Sequence, residues 1–360
     1  MYFRIFDCWR LTAAMLVMSY HFLFYAPAGG EAGIAFLHRL LPLLDMFFMI
    51  SGFFITTLYR HRLKGPGDYL TFLRKRVARL YPLHLLTLSF FVAIAVGMVI
   101  TGFSSGEPRR WDLALLPFHL LAVHAWGTTD YLAFNYVSWS VSAEFFCYIL
   151  FPLIVVLVQR KGLGALAAFS ALWIAGLEIA SAAGVFPHGH WTTADNLGAY
   201  RAFADFQIGA MVAILVERRV FDIRSHWPGL AFLGVAGAAM ILEWNVYLVL
   251  AGFAGAMLCT ALAETARPHS TDWLGFLMPI TRVSFGIYLW HPVMEMLFLG
   301  LLWKHVLAPA GFTGFYVFWL LPMLATIAVA LASERFFERR VARWLSGGTP
   351  RRASVTSLAA

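Results

Sequence analysis

The sequence predicts an all-α protein, a polytopic transmembrane helix bundle with about ten spans. Composition gives two reasons: 61% of the 360 residues are hydrophobic and only 13% are charged. An ordinary soluble domain is about 45–50% apolar and about 25% charged, so a water-soluble globular protein is excluded. The third reason is that the apolar residues gather into runs close to the length of a bilayer-spanning helix, about 20 residues.

Ten apolar stretches follow one another along the chain, separated by shorter polar segments. In order, they are Leu11–Tyr25, Leu43–Leu58, Leu83–Phe103, Trp139–Val158, Leu163–Gly184, Ala202–Val216, Pro228–Leu242, Val246–Ala263, Val283–Trp303 and Thr313–Leu331. An even number of spans places both termini on one side of the membrane. Within the longest polar segment, 104–138, the part from Leu113 to Ala125 is compatible with a short re-entrant or interfacial helix.

The basic residues decide the orientation, because cytoplasmic loops of membrane proteins carry an excess of lysine and arginine. With both termini in the cytoplasm, only five of the 27 basic residues fall on the outer side: Arg39, Arg109, Arg110, Arg201 and Lys304. We therefore expect both termini to be cytoplasmic. The net charge of +8 is spread over short clusters between apolar runs and forms no single basic face, so we expect no nucleic-acid partner.

The chain is expected to form one integral-membrane domain over residues 1–346. The segment 347–360 is rich in Ser, Thr and Arg, has no apolar periodicity, and is predicted to be a disordered cytoplasmic tail. Cys8, Cys147 and Cys259 stand at unrelated spacings, so neither a metal site nor a disulfide framework is expected.

Ionisable side chains inside spans are costly and therefore mark candidate functional residues. On the first span, His21 follows Arg10 by eleven residues. At about 100° and 1.5 Å per residue, the two lie within about 20° of one helix face and roughly 16 Å apart. On the second span, Asp45 has no cation at helical spacing, and it needs a partner such as Arg39 or a polar cavity.

Two later spans carry polar residues along one helix face. The first stripe, which follows Trp139, is Ser140, Glu144 and Tyr148 at i, i+4 and i+8. The second is Ser284, Tyr288 and His291 at i, i+4 and i+7. Three polar groups on one face of an apolar helix are typical of a cavity lining. An aromatic belt at the membrane interface would explain Tyr288 but explains His291 poorly.

Taken in order, these segments resemble the acyltransferase-3 family, bacterial integral-membrane O-acyltransferases that modify surface and secreted carbohydrates. Arg10 and His21 match the family's Arg-x10-His signature in the first span. Four further segments are similar to family motifs: Leu44–Phe53 to D-x-F-F-x-x-S-G-F, Arg74–Pro82 to R-x-x-R-x-x-P, Trp139–Glu144 to W-S-L-S-x-E, and Ser284–Pro292 to S-Y-x-I-Y-L-W-H. The chain departs from the pattern at Phe285, where Tyr is common, and at Glu338-Arg339, where Glu-Pro is typical.

The resemblance implies a multi-pass enzyme of the bacterial inner membrane. It would transfer an acyl group, most commonly acetyl, from cytoplasmic acyl-CoA to a hydroxyl of a carbohydrate or glycolipid acceptor, without a metal. His21 would act as general base or as a covalent acyl relay. Which of Glu144, Asp45 and His291 orients His21 or the acceptor is left open.

The resemblance also implies two groups of binding residues. The expected phosphate-binding residues are Arg10, Arg74, Arg76 and Arg79, of which Arg74 and Arg76 point apart on a helix, so that only some can contact one ligand. The expected substrate-binding residues are Trp139, Ser140, Tyr148, Tyr288 and His291. The alternative is a transporter or flippase of a glycolipid or small polar solute, which would also need charges inside the membrane.

Overall fold

Helices joined by short connections make up the protein. The computed structural model describes residues 3–103 and 106–346, and these ranges contain no β-strand. Their α-helices are α1 (Arg4–Leu23), α2 (Glu31–Arg39), α3 (Leu43–Tyr59), α4 (Pro66–Thr101), α5 (Leu116–Leu120), α6 (Trp139–Lys161), α7 (Leu163–Ala182), α8 (Gly198–Glu217), α9 (Trp227–Ile241), α10 (Val246–Ala266), α11 (Met278–Thr281), α12 (Ser284–Met294), α13 (Phe315–Phe318), α14 (Leu320–Ser333) and α15 (Arg339–Ser346). Two π-helical segments, Glu295–Leu307 and Glu334–Glu338, extend α12 and α14. The all-α class is confirmed.

Each of the ten apolar stretches coincides with helix in the structure. Eight helical segments of the described chain are long and apolar enough to cross a bilayer. Helix α9 is shorter, with 15 residues, and α1 carries Arg4, Asp7 and Arg10 in its first two turns. The protein is thus a multi-pass membrane bundle.

Helix α4 is longer than its predicted span. It contains 36 residues and continues through Pro82, whereas the apolar stretch alone indicated a start at Leu83. The added residues form the basic segment, which is helical. At about 1.5 Å per residue, α4 is about 54 Å long, compared with about 30 Å for the hydrocarbon core of a bilayer.

Helices α3 and α8 form the most extensive helix pair in the bundle. A Cβ atom on Gly52 would lie 2.1 Å from the carbonyl oxygen of Phe206, and one on Gly209 would lie 1.8 Å from that of Met49. Small residues at a helix crossing allow two backbones to approach closely. The two glycines therefore fix the distance between α3 and α8.

The longest polar segment contains less helix than a continuous Leu113–Ala125 helix would have. A 3₁₀ turn (Leu113–Leu115) is followed by α5, and Ala122 has a φ of 53°, which interrupts a right-handed helix. Helix α2 was not among the predicted elements; it has no buried residues and lies outside the ten stretches. The predicted disordered tail, 347–360, lies outside the described residues.

Candidate active site

A cavity opens between α1, α3, α4, α6 and α12, and all five helices contribute side chains to its lining. Its polar lining consists of Arg10, Ser51, Arg76, Arg79, Ser140, Glu144 and Tyr148. Three guanidinium groups thus share the cavity with one carboxylate. The excess of positive charge suits an anionic ligand, and guanidinium groups match the geometry of phosphate.

Glu144 is the hydrogen-bonding centre of this cavity. One of its carboxylate oxygens, Oε1, accepts hydrogen bonds from the hydroxyls of Ser51 and Tyr148, the latter at 2.5 Å. Tyr148 lies one turn along α6 from Glu144, whereas Ser51 comes from α3. Because two hydroxyls hold the buried carboxylate, it stays fixed close to the arginines. All three members of the Ser140 stripe line the cavity.

Two of the three arginines of the cavity, Arg10 and Arg76, contact aromatic side chains. The guanidinium carbon of Arg10 lies 4.5 Å from the centre of the Phe47 ring, a cation–π contact. The Arg10 Nε is buried and has no hydrogen-bond acceptor among the described residues. Arg76 donates from Nη2 to the hydroxyl of Tyr59 at 3.0 Å. These contacts leave guanidinium donors available to a ligand.

Arg74 lies apart from the other three arginines of the expected group. It is exposed, and its Nε donates to the backbone carbonyl of Leu345 at 2.6 Å. Two residues along a helix correspond to about 200°, so Arg74 points away from the cavity that Arg76 faces. Of the four expected phosphate-binding residues, Arg10, Arg76 and Arg79 therefore share the cavity.

His21 and His291 face each other beyond the cavity. Their rings stack with centroids 5.4 Å apart and planes 21° apart. The ring of Tyr136 lies 4.8 Å from that of His21, and its hydroxyl donates to Glu295 at 2.5 Å. His291 is fully buried and His21 is half-buried. Of the three candidates to orient His21, the structure places His291 beside it and Glu144 in the cavity.

Asp45 is engaged by a residue that the sequence did not indicate. It forms a buried ion pair with Arg201 of α8, with Oδ1 and Nε 2.6 Å apart. Arg39, one of the two partners considered, instead pairs with Glu243 at 3.2 Å. Asp45 therefore joins α3 to α8, and the structure does not bring it to His21. Arg201 was expected just outside a span, but it lies in the first turn of α8 and is buried.

Of the two remaining expected substrate-binding residues, Tyr288 lies between the cavity and the histidines, and Trp139 does not. Tyr288 stacks on Phe47 with ring centroids 6.5 Å apart and lies 5.8 Å from His291. Trp139 packs against Phe48 and Gly198. Its ring is therefore part of the packing between α3, α6 and α8.

Several residues of the site were missed, and two of them had a signal in the sequence. Glu295 follows His291 by four residues, so it lies one turn further along the same helix. Arg110 is one of the five cations on the expected outer side, and it lies 5.5 Å from the ring of Tyr136. Ser51 lies in the motif segment Leu44–Phe53 but was not predicted as a site residue, and no spacing indicated Tyr136.

Comparison with known proteins identifies a family. The model of the acyltransferase-3 family, described as an acyltransferase domain, matches residues 3–335. The chain belongs to the acyltransferase-3 family. It is a multi-pass membrane acyltransferase, and membership implies an acyl donor, an acceptor and a lipid bilayer as its partners.

Two relatives of this acyltransferase illustrate the range of similarity. It is 36% identical to acyltransferase MdmB of Streptomyces mycarofaciens over 164 residues, which cover 42% of this chain and 38% of MdmB. It is 22% identical to nodulation protein 10 of Rhizobium leguminosarum bv. viciae over 97% of this chain and 96% of that protein. No solved structure matches the chain.

The five motif-bearing segments of this acyltransferase converge on one cavity. They contribute, in chain order, Arg10, Ser51, Arg79, Glu144 and Phe285 to its lining. Arg10 and Phe285 are 275 residues apart in the sequence, and the segments meet only because α1, α3, α4, α6 and α12 surround a common space. Phe285, where the family commonly has Tyr, contributes an apolar ring to the lining.

Proposed function

We propose that this acyltransferase moves an acyl group from cytoplasmic acyl-CoA to a hydroxyl of a cell-surface or secreted carbohydrate in the bacterial inner membrane. Acetyl is the proposed acyl group, from the family resemblance. The observation that carries the proposal is the order of groups along α1. Arg10 lines the basic cavity, and His21 faces His291 about 16 Å further along the helix.

The basic cavity suits the phosphates of the donor. CoA carries several phosphate charges at one end of an extended arm and the thioester at the other. Guanidinium groups bind phosphate through charge-assisted hydrogen bonds. With the phosphates near Arg76, Arg79 and Arg10, the arm extends along α1 and brings the thioester to His21. The distance between Arg10 and His21 is comparable to the reach of this arm.

The histidine pair supplies the proton chemistry. In the proposed step, His21 takes the proton of the acceptor hydroxyl as its oxygen attacks the thioester carbonyl carbon. A carbon–oxygen bond forms and the carbon–sulfur bond breaks. The imidazolium then gives the proton to the departing thiolate, so that the products are the ester and CoA with a free thiol. No oxidant, reductant or metal is needed for this balance.

A covalent relay is the second version of the same chemistry. The imidazole itself attacks the thioester, CoA leaves, and the acyl group is then passed from nitrogen to the acceptor oxygen. The two versions differ in when CoA is released. A burst of CoA equal to the enzyme concentration in the absence of acceptor indicates the relay, whereas direct transfer gives none.

The test uses membrane vesicles in which the donor side faces the medium. Labelled acetyl-CoA is added, and label is measured in the carbohydrate of the cell envelope, with mass spectrometry locating the ester. We expect His21→Ala at wild-type expression to lower transfer by about 10²–10⁴-fold, the usual contribution of a general base. The matched control is His305→Ala, which removes an exposed imidazole at the end of the π-helical segment.

Two results would contradict the proposal. Undiminished acyl transfer by His21→Ala would exclude this histidine from the chemistry. Movement of an unmodified glycolipid across the membrane without any turnover of acetyl-CoA would instead favour the transporter alternative.

A further inference from the structure

A layer of side chains separates the basic cavity from the histidine pair. Phe47 lies one turn along α3 from Ser51, and Ser140 lies one turn along α6 from Glu144. Tyr288 precedes His291 by three residues on α12. The rings of Phe47 and Tyr288 are stacked across this layer, and the Tyr288 hydroxyl interacts with Ser140. The direct route from cavity to histidines therefore passes through Phe47 and Tyr288.

Phe47 is held in this layer by the same residue that is proposed to bind the donor. It is half-buried and lines the cavity, and the Arg10 guanidinium lies over its ring at 4.5 Å. A guanidinium that binds a phosphate through its N–H groups is drawn to a stronger partner than an aromatic ring. The Arg10 N–H groups are available to a phosphate, and a phosphate bound there sets the position of the guanidinium, so that a shift toward the ligand takes it off the Phe47 ring.

We infer that Arg10, Phe47 and Tyr288 form a gate that the phosphates of the donor open. The inference rests on the proposed function, because it takes acyl-CoA as the ligand of the cavity. Without donor, Arg10 holds Phe47 against Tyr288 and the passage is closed. When the phosphates engage Arg10, Phe47 is released and the thioester arm passes to His21 and His291.

The gate selects thioesters that carry phosphate. Binding energy from a remote part of a substrate can contribute to the reaction when it drives a conformational change of the enzyme that the reacting part cannot drive by itself. A truncated thioester without phosphates meets a closed layer, even though its reacting bond is the same. Phe47 is therefore a specificity-determining residue.

The experiment supplies the thioester arm of the donor and its phosphates as two separate molecules. The truncated donor is S-acetyl-N-acetylcysteamine, and the activator is 3′-phosphoadenosine 5′-diphosphate, which carries the phosphates of CoA without its arm. Release of thiol is measured in the vesicles described above. In the wild type, we expect the nucleotide to raise turnover of the truncated donor about tenfold, the effect of releasing the ring contacts that hold Phe47.

Phe47→Ala should turn over the truncated donor about tenfold faster without nucleotide and gain less than about twofold from it. Phe169→Ala is the matched control, since Phe169 is half-buried like Phe47 but lies on α7, packs on Trp173 and Phe203, and does not line the cavity. It should retain the wild-type activation. If Phe47→Ala does not fold, Phe47→Leu keeps apolar bulk, removes the aromatic face, and should change turnover in the same direction.

Failure of the gate is distinguishable from failure of the proposed function. If the wild type turns over acetyl-CoA but the nucleotide inhibits or does not affect the truncated donor, the gate is overturned and the proposed function stands. The gate is likewise overturned if the nucleotide activates Phe47→Ala as strongly as the wild type. If acetyl-CoA itself is not turned over, the proposed function is overturned and the gate with it.

Discussion

Gly209→Ala tests whether the close contact between α3 and α8 stabilises the bundle. The added Cβ would lie 1.8 Å from the carbonyl oxygen of Met49, and real Cβ atoms essentially never approach another heavy atom closer than 3.0 Å. The two backbones must therefore separate by at least 1.2 Å at this height. No flexible side chain can absorb this movement, because the obstacle is main chain.

The expected loss in the free energy of unfolding follows from the two interactions that this separation disturbs. Overpacking of a closely packed core costs about 1–3 kcal/mol. The ion pair between Asp45 and Arg201 joins the same two helices at 2.6 Å, and a separation of 1.2 Å weakens it as well. We therefore expect the free energy of unfolding to fall by about 3 kcal/mol, the upper end of that range.

The assay is equilibrium unfolding of the purified protein in mixed micelles titrated with a denaturing detergent. Gly237→Ala on α9 is the control, because no atom lies within 4 Å of the position its Cβ would take; it should stabilise by about 0.5–1 kcal/mol, the ordinary gain of alanine over glycine inside a helix. If Gly209→Ala unfolds at the same detergent fraction as the wild type, the contact between α3 and α8 does not stabilise the protein as argued.

Further predictions concern the arginines of the cavity and the ion pair between Asp45 and Arg201. Arg79→Ala should raise the KM for acetyl-CoA about tenfold to hundredfold, since a hydrogen bond to a charged group contributes about 1.5–3 kcal/mol. Arg74→Ala should leave KM within about twofold, because Arg74 does not face the cavity; steady-state kinetics compare the two, and equal effects would exclude the cavity as the donor site. Arg201→Ala leaves the Asp45 carboxylate buried and unpaired by its present partner, and should lower the free energy of unfolding by about 3–5 kcal/mol. In the same detergent titration, adding Asp45→Asn should recover part of that loss, whereas no recovery would show that the charge itself is not the cause.

The fold class and the positions of the ten stretches could be predicted because hydropathy is a local property of the chain. The stretches become helices whatever lies next to them. The extent of α4 could not be predicted in this way, since its first half is basic and its helical structure continues through Pro82. A span predicted from hydropathy alone ends where the apolar residues end.

Partners between helices were not predictable from one sequence. The stacked rings of His21 and His291 come from opposite ends of the chain, and Asp45 and Arg201 are separated by 156 residues. Spacing within a helix identified each of the two histidines as a candidate and says nothing about which distant helix it faces. Only the packing of α1 against α12 brings them together.

Three of the basic residues that are exceptions to the excess of positive charge in cytoplasmic loops have specific partners in the structure. Of the five cations expected on the outer side, Arg39 pairs with Glu243 and Arg201 pairs with Asp45. Arg110 lies over aromatic rings beside the histidine pair. A basic residue on the outer side opposes the preferred orientation of the protein in the membrane. At such a position, a specific partner for the basic side chain is therefore expected.

The length of α4 has a consequence for how a charged donor meets a membrane enzyme. Its far end carries the exposed apolar residues Val99 and Ile100, which suit lipid, so the surplus of about 24 Å over the hydrocarbon thickness falls at the basic end. Arg76 and Arg79 belong to this surplus, the part of α4 that is not needed to cross the hydrocarbon. If the donor binds there as proposed, its charged end would stay near the end of the hydrocarbon layer, and only the uncharged arm would have to cross into the bundle.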